Sequence, residues 1–113
     1  MTCIFCQIAA GQQAAEIVYE DERAVAFRDI RPQAPVHILI IPRAHISGPL
    51  HVDGDNALLI GHLVAVAAEV AGREGIAEAG YRLVLNQGRA GGQSVYHLHL
   101  HLLGGRRMAW PPG

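Results

Sequence analysis

The sequence predicts an α+β domain: an antiparallel sheet with one main helix packed on one face. Three observations predict it. Short β-rich runs, punctuated by proline and by a polar turn, fill residues 17–41. One longer segment, from Asp55 or Asn56 to about Arg73, carries Leu59, Leu63, Val66 and Val70 at helical spacing. Near the C-terminal end, "YHLHLHLLGG" alternates strictly between histidine and leucine, the two-residue period of a strand. At 113 residues the chain is expected to be a single domain, 1–113, because there is no room for two cores. A chain of this size buries on the order of two-thirds of its unfolded surface, enough to fold without disulfide staples.

Each element has its own warrant. In "EIVYEDERAVAFRDI" two β-rich runs, 17–19 and 24–27, flank Glu20, Asp21, Glu22 and Arg23, which are polar enough for a hairpin turn. "VHILIIP" is a third strand over 36–41, entered after Pro35 and stopped by Pro42. "SGPLHVDGDN" reads as loop, and its last residues supply the N-cap of the helix. Gly72, Gly75 and Gly80 surround the end of that helix. "YRLVLN" alternates as a fourth strand, and "QGRAGGQS" is a glycine-rich loop before the histidine strand. The tail, about residues 104–113, is too rich in proline and glycine for regular structure.

Composition narrows the function. Half the residues are hydrophobic and 17% are charged, which argues against disorder. Net charge is −1, every basic residue is arginine, and no charge run stands out, so neither nucleic acid nor an anionic membrane is the implied partner. An anionic small molecule remains open, because backbone amides and histidines bind anions without a basic patch. "MTCIFCQIAAG" lacks a basic region and a long apolar stretch, so it is not read as a signal peptide. "LLIGHLVAVAAEV" is broken by His62 and Glu69 and is too short for a membrane span. The expected compartment is the cytoplasm. Two cysteines, Cys3 and Cys6, do not make a disulfide framework there.

The histidines carry the chemistry. A strand puts Leu98, Leu100 and Leu102 on one face and His97, His99 and His101 on the other. The plainer alternative is a half-exposed strand whose polar face is histidine; three in register, out of seven in the chain, tell against it. The loop over residues 88–94 brings flexible backbone amides and the Ser94 hydroxyl to the start of that strand, and Asn86 ends the strand before it. These groups suit a bound phosphate, although an ordinary hairpin loop would use the same glycines. Near neutral pH one imidazole can be an unprotonated nucleophile while another donates to an oxyanion or leaving group.

His97-x-His99-x-His101 before Gly104-Gly105, together with "AFRDIRPQAPVHILIIPRAHI", "GYRLVLNQG" and "GGQSVYHLHLHLLGGR", resembles the histidine triad (HIT) family over nearly the whole chain. The blocks are most similar to the Hint branch, the purine nucleoside phosphoramidases. The resemblance implies a HIT-like fold and a homodimer with a sheet continued across a twofold axis. It also implies cleavage of the P–N bond of adenosine or guanosine 5′-phosphoramidates through a nucleotidyl-histidine intermediate. His99 matches the nucleophile and His101 the histidine beside phosphate and leaving group. The carbonyl of His97 matches the group that fixes the nucleophile's tautomer, and His37 a histidine that supports the nucleophile. Asn86, Gly92, Ser94 and Val95 match phosphate contacts. Asp29 matches the ribose carboxylate, and Phe5, Ile8, Phe27 and Ile30 match the apolar slot for the purine, where the plainer role for these four is core.

Superfamily members that hydrolyse dinucleoside polyphosphates or transfer nucleotides usually carry glutamine at the third triad position. An amine leaving phosphorus needs a proton more than a phosphate does, so His101 leans toward P–N cleavage. Branches with Cys-x-x-Cys near the N-terminus resemble zinc binders, which implies a structural zinc on Cys3, Cys6, His45 and His97; a pair of reduced, unliganded thiols is the alternative. Gln13-Ala14 departs from the apolar residue and proline common among relatives, at the rim of the purine slot. The rival readings are a dinucleoside polyphosphate hydrolase, a hydrolase with a catalytic zinc on the histidine cluster, and a nucleotide-binding regulatory protein. A catalytic zinc would lack an evident acidic base nearby and would leave the glycine loop without a purpose.

Overall fold

The computed structural model describes residues 3–113. Its elements run α1 (Ile4–Ala9), β1 (Ile17–Glu20), β2 (Ala24–Arg28), β3 (Val36–Pro42), a 3₁₀ turn (Pro49–His51), α2 (Ala57–Arg73), β4 (Tyr81–Leu85) and β5 (Leu100–Gly104). The five strands form one antiparallel sheet in the order β1-β2-β3-β5-β4. This is the α+β architecture expected, with one main helix.

Strand periodicity sorts the core into two layers. Ala24 and Ala26 of β2, Ile38 and Ile40 of β3, and Leu98, Leu100 and Leu102 meet Leu63, Val66, Ala67, Val70 and Ala71 of α2. The intervening residues Val25, Phe27, Leu39 and Ile41 point to the opposite face, where Phe5 and Ile8 of α1 cover them. The short helix α1, on the face opposite the main helix, is an element the sequence reading did not include. Continuous apolar runs such as Ala24–Phe27 and Ile38–Ile41 are what strands buried on both faces require.

Two further expectations change in detail. The N-cap of α2 is Asn56, but its side chain makes no cap bond. Its Oδ1 instead accepts from the Asp53 amide at 2.8 Å, and its Nδ2 donates to the His51 carbonyl at 3.0 Å, closing the turn before the helix. The histidine strand begins only at Leu100. The β3–β5 register pairs Ile40 with Leu100, so its continuation would set Leu98 against Pro42, which has no N–H to donate. Residues 97–99 are outside the ladder, with a bend at His97, and the Leu98 amide bonds the Ile46 carbonyl instead.

The hairpin turn is closed by Asp21, whose Oδ1 accepts from the amides of Arg23 and Ala24 at 2.7 and 2.8 Å. At the far end of the sheet, Gly104 lies against Ile76: a Cβ there would sit 2.5 Å from Ile76 Cδ1. Gly105 takes φ +85°, in the left-handed region open to glycine, and passes over Pro35. The Gly104-Gly105 pair thus lets the chain leave β5 and double back over the loop before β3.

Candidate active site

A cavity of about 320 Å³ opens between α1, the end of β2 and the segment leading into β5. Its walls include Phe5, Ile8, Phe27, Asp29, Ile30, Ser94, Val95, His99 and His101, so nine of the expected nucleotide-site residues meet at one place. Ile4, Gln13, Ala14, Ala15, Arg28 and Leu39 complete it. Phe5 stands edge-on to Phe27 at 5.4 Å and to His99 at 5.2 Å, giving an apolar slot that ends on an imidazole. Ile30 is 93% exposed and forms a lip, not core.

His37, His97, Asn86 and Gly92 do not line the cavity. His37 and His97 lie behind it, each bonded to a histidine that does. The Asn86 Nδ2 is committed to the Gly91 carbonyl at 2.7 Å, so it shapes the glycine loop. Gly88 and Gly92 adopt φ +71° and +78°, and a Cβ on Gly91 would fall 2.3 Å from the Gln87 carbonyl oxygen. Gln93, which the sequence did not single out, is buried and holds the loop to the body. Its Oε1 accepts from the Gly88 amide, and its Nε2 donates to the carbonyls of Ser47 and Val95.

Hydrogen bonds assign the proton on each neutral imidazole, because a carbonyl can only accept and an amide N–H can only donate. His99 Nδ1 lies 2.8 Å from the His97 carbonyl, so Nδ1 carries the hydrogen and the Nε2 lone pair is bare. His97 Nε2 lies 2.8 Å from the Pro42 carbonyl, so its lone pair is on Nδ1. The Gln33 amide donates to His37 Nδ1 at 3.0 Å, so His37 carries its hydrogen on Nε2 and donates it to His101 Nδ1 at 2.9 Å. His101 then holds its own hydrogen on Nε2, the nitrogen turned away from His37. The resemblance implied that His37 supports the nucleophile; the contact it makes is with His101.

Burial lowers the proton affinity of His37, His97 and His101. It pushes His101 down to about 4, with the neighbouring His99 and His37 acting in the same direction and Asp29 against it. Burial also lowers His37, opposed by the Asp29 carboxylate, whose Oδ2 stands 3.4 Å from His37 Nε2. Asp29, His37 and His101 have donor atoms close enough for an ion. Neutral His37 has no lone pair on Nε2, however, so the three read as a hydrogen-bonded chain.

A second cluster fits a metal well. One donor atom each from Cys3, Cys6, His45 and His97 lies within 4.8 Å of the others. Cys3 Sγ is 3.4 Å from His97 Nδ1, and Cys6 Sγ is 3.3 Å from His45 Nδ1 and 3.4 Å from His97 Nδ1. Ordinary zinc bond lengths in a tetrahedron put sulfur and nitrogen about 3.6 Å apart. The His97 lone pair already faces the sulfurs, and burial lowers its proton affinity, with the Pro42 bond opposing, which favours the neutral ligand form. Burial, then a hydrogen bond and charge from Cys3, raise the Cys6 thiol, a cost that a bound dication reverses.

The fold and the site together define an α+β protein with a histidine-built centre at the mouth of an apolar cavity. The chain belongs to the HIT domain family, whose model matches residues 10–108. It is 52% identical over 103 residues to the purine nucleoside phosphoramidase of Escherichia coli, covering 91% of this chain and 87% of that protein. It is 51% identical over 112 residues to a 14 kDa zinc-binding protein of Zea mays, covering 97% and 87%. Its fold superposes on the crystal structure of a HIT family hydrolase from Legionella pneumophila with a TM-score of 0.97 and 54% identity, over 99% of this chain and all of that one.

Proposed function

We infer that the protein is a hydrolase of the HIT family and that it cleaves the P–N bond of purine nucleoside 5′-phosphoramidates, those of adenosine and guanosine. One observation carries the mechanism: the His97 carbonyl holds the hydrogen of His99 on Nδ1, leaving the Nε2 lone pair bare. The purine enters the slot of Phe5, Ile8, Phe27 and Ile30, Asp29 takes the ribose hydroxyls, and the phosphate lies against Ser94, Val95 and the loop that Gly92 and Asn86 shape. His99 Nε2 bonds to phosphorus as the P–N bond breaks, and the departing nitrogen, which accepts a hydrogen bond from the His101 Nε2–H, takes its proton from solvent at the mouth of the cavity. Water then attacks the nucleotidyl-histidine: its hydroxyl bonds to phosphorus as the His99 Nε2–P bond breaks, and its proton returns to solvent. The activity named for the E. coli relative supports this reading over dinucleoside polyphosphate hydrolysis.

The same reading includes a structural zinc on Cys3, Cys6, His45 and His97, supported by the donor geometry and by the zinc-binding relative. It includes a homodimer, supported by β4 at the open edge of the sheet and by Leu58 and Val64, exposed on α2. It also includes a cytoplasmic setting; no described helix is long and apolar enough to cross a membrane. The test is hydrolysis of adenosine 5′-phosphoramidate. AMP and ammonia are the expected products with the wild-type protein, and His99→Ala is expected to yield neither. No turnover by the wild type, or undiminished turnover by His99→Ala, contradicts the reading.

A further inference from the structure

The segment leaving β5 is tied to the deepest part of the site through the main chain of a single residue, Gln33. Arg106 Nε and Nη2 both donate to the Gln33 carbonyl, at 3.2 and 3.0 Å. The amide of the same residue donates to His37 Nδ1 at 3.0 Å, and His37 Nε2 reaches His101 Nδ1 at 2.9 Å. The approach is built into the chain. Gly105, with its left-handed φ, turns Arg106 back over the loop of residues 29–35, and a Cβ at that glycine would stand 2.9 Å from Pro35 Cβ. Bonds from the Arg31 amide to Asp29 Oδ1 and from Gln33 Nε2 to the Arg31 carbonyl brace the rest of the loop.

We propose that Arg106 is a positioning residue for the leaving-group side of the site. Its guanidinium fixes the carbonyl on one side of the Gln33 Cα, which steadies the main chain there. The Gln33 N–H on the other side then keeps the hydrogen of His37 on Nε2, and that keeps the hydrogen of His101 on its own Nε2. Histidine tautomers are close in energy, and the hydrogen bond made by one ring nitrogen decides which form is present. Without the guanidinium, only loop contacts hold the main chain at Gln33. If it rotates, His37 is free to carry its hydrogen on Nδ1, and the bond to His101 reverses. His101 would then hold its hydrogen on Nδ1 and face the departing nitrogen with a lone pair. A planar fork with two donors suits the grip on one carbonyl better than a single ammonium does.

The catalytic half of this inference rests on the proposed role of His101; the tautomer half does not. The experiment separates them. Wild-type protein, Arg106→Ala and Arg106→Lys, each labelled with ¹⁵N-histidine, are compared by imidazole nitrogen NMR. Their kcat is measured on an alkyl phosphoramidate of AMP and on the p-nitrophenyl ester of AMP, whose phenolate leaves without a proton. In Arg106→Ala the His37 signals should move from a single Nε2–H form toward a mixture. The kcat for the amine should fall about tenfold while that for the ester stays within about twofold. Arg106→Lys should recover part of both effects. Equal losses on the two substrates, or unchanged His37 signals in Arg106→Ala, overturn the proposal. Should Arg106→Ala not fold, Arg106→Gln keeps most of the stem, lacks the charged fork and carries the same comparison. If the wild type cleaves neither substrate, the functional reading fails and the tautomer signals alone decide the positioning role.

Discussion

The Asp29 carboxylate serves two neighbours at once. Its Oδ1 accepts from the Arg31 amide at 2.8 Å, which fixes the loop, and its Oδ2 stands 3.4 Å from His37 Nε2 beside the cavity. A charge-assisted hydrogen bond to a ribose hydroxyl is worth about 1.5–3 kcal/mol. Asp29→Ala should therefore weaken AMP binding about tenfold or more in calorimetry, and unchanged affinity would leave Asp29 a loop residue only. At this scale much was legible: His99, His101 and Ser94 are side chains whose type announces their chemistry, while Asp29 and the four apolar slot residues came only from the family resemblance. The Gln33 amide, the Arg106 grip and the buried Gln93 were not legible. The first is a backbone group that any residue but proline supplies, and the other two act through carbonyls that no residue letter reveals. His37 was found, but its hydrogen-bond partner depends on the loop that carries Gln33.

Among the elements, α1 links the two clusters. Cys3 caps it, accepting from the Cys6 amide at 3.3 Å, and Phe5 between them faces His99. A metal held by both cysteines would therefore fasten one wall of the cavity to His45 and to the segment entering β5. The protein purified without added metal should hold about one zinc per chain by elemental analysis. Chelation should lower thermal stability more than turnover at moderate temperature. No zinc, and no uptake on supply, contradicts this. The helix was hidden in the sequence because six residues show little periodicity and cysteine is not a preferred cap. The strands were legible because period-two alternation and prolines mark them. Only the start of β5 was misjudged, where the alternation continues past the point at which Pro42 ends the ladder.

Over the whole molecule, acid is the expected weakness. His37, His97 and His101 have proton affinities lowered by burial, so the unfolded chain, at the ordinary value of 6.5, binds protons that the folded chain refuses. Their contribution is complete above 6.5 and is lost as pH falls, for His101 down to about 4. Allowing for partial solvent access, that ring alone accounts for roughly 2–3 kcal/mol. Two carboxylates act in the same direction at lower pH. Burial of Asp21 opposes its ionisation, but hydrogen bonds from the Tyr19 hydroxyl, the Arg23 and Ala24 amides and His62 lower its pKa well below the usual carboxylate range. The paired guanidinium of Arg28 lowers Glu74, with bonds of 2.8 and 3.0 Å tying the end of β2 to the end of α2. The Tm of metal-free protein at fixed ionic strength should fall steadily below pH 6.5, and His101→Gln should flatten that slope; equal slopes would contradict the buried neutral ring. The central claim, covalent transfer to His99, is tested most directly by quenching the protein in alkaline denaturant, where a histidine–phosphorus bond survives, during turnover of adenosine 5′-phosphoramidate and measuring its intact mass. The account predicts a species heavier by one adenylyl group, mapped to His99 and absent from His99→Ala. Product formation with no such species at any quench time, or an adduct on another residue, would contradict it.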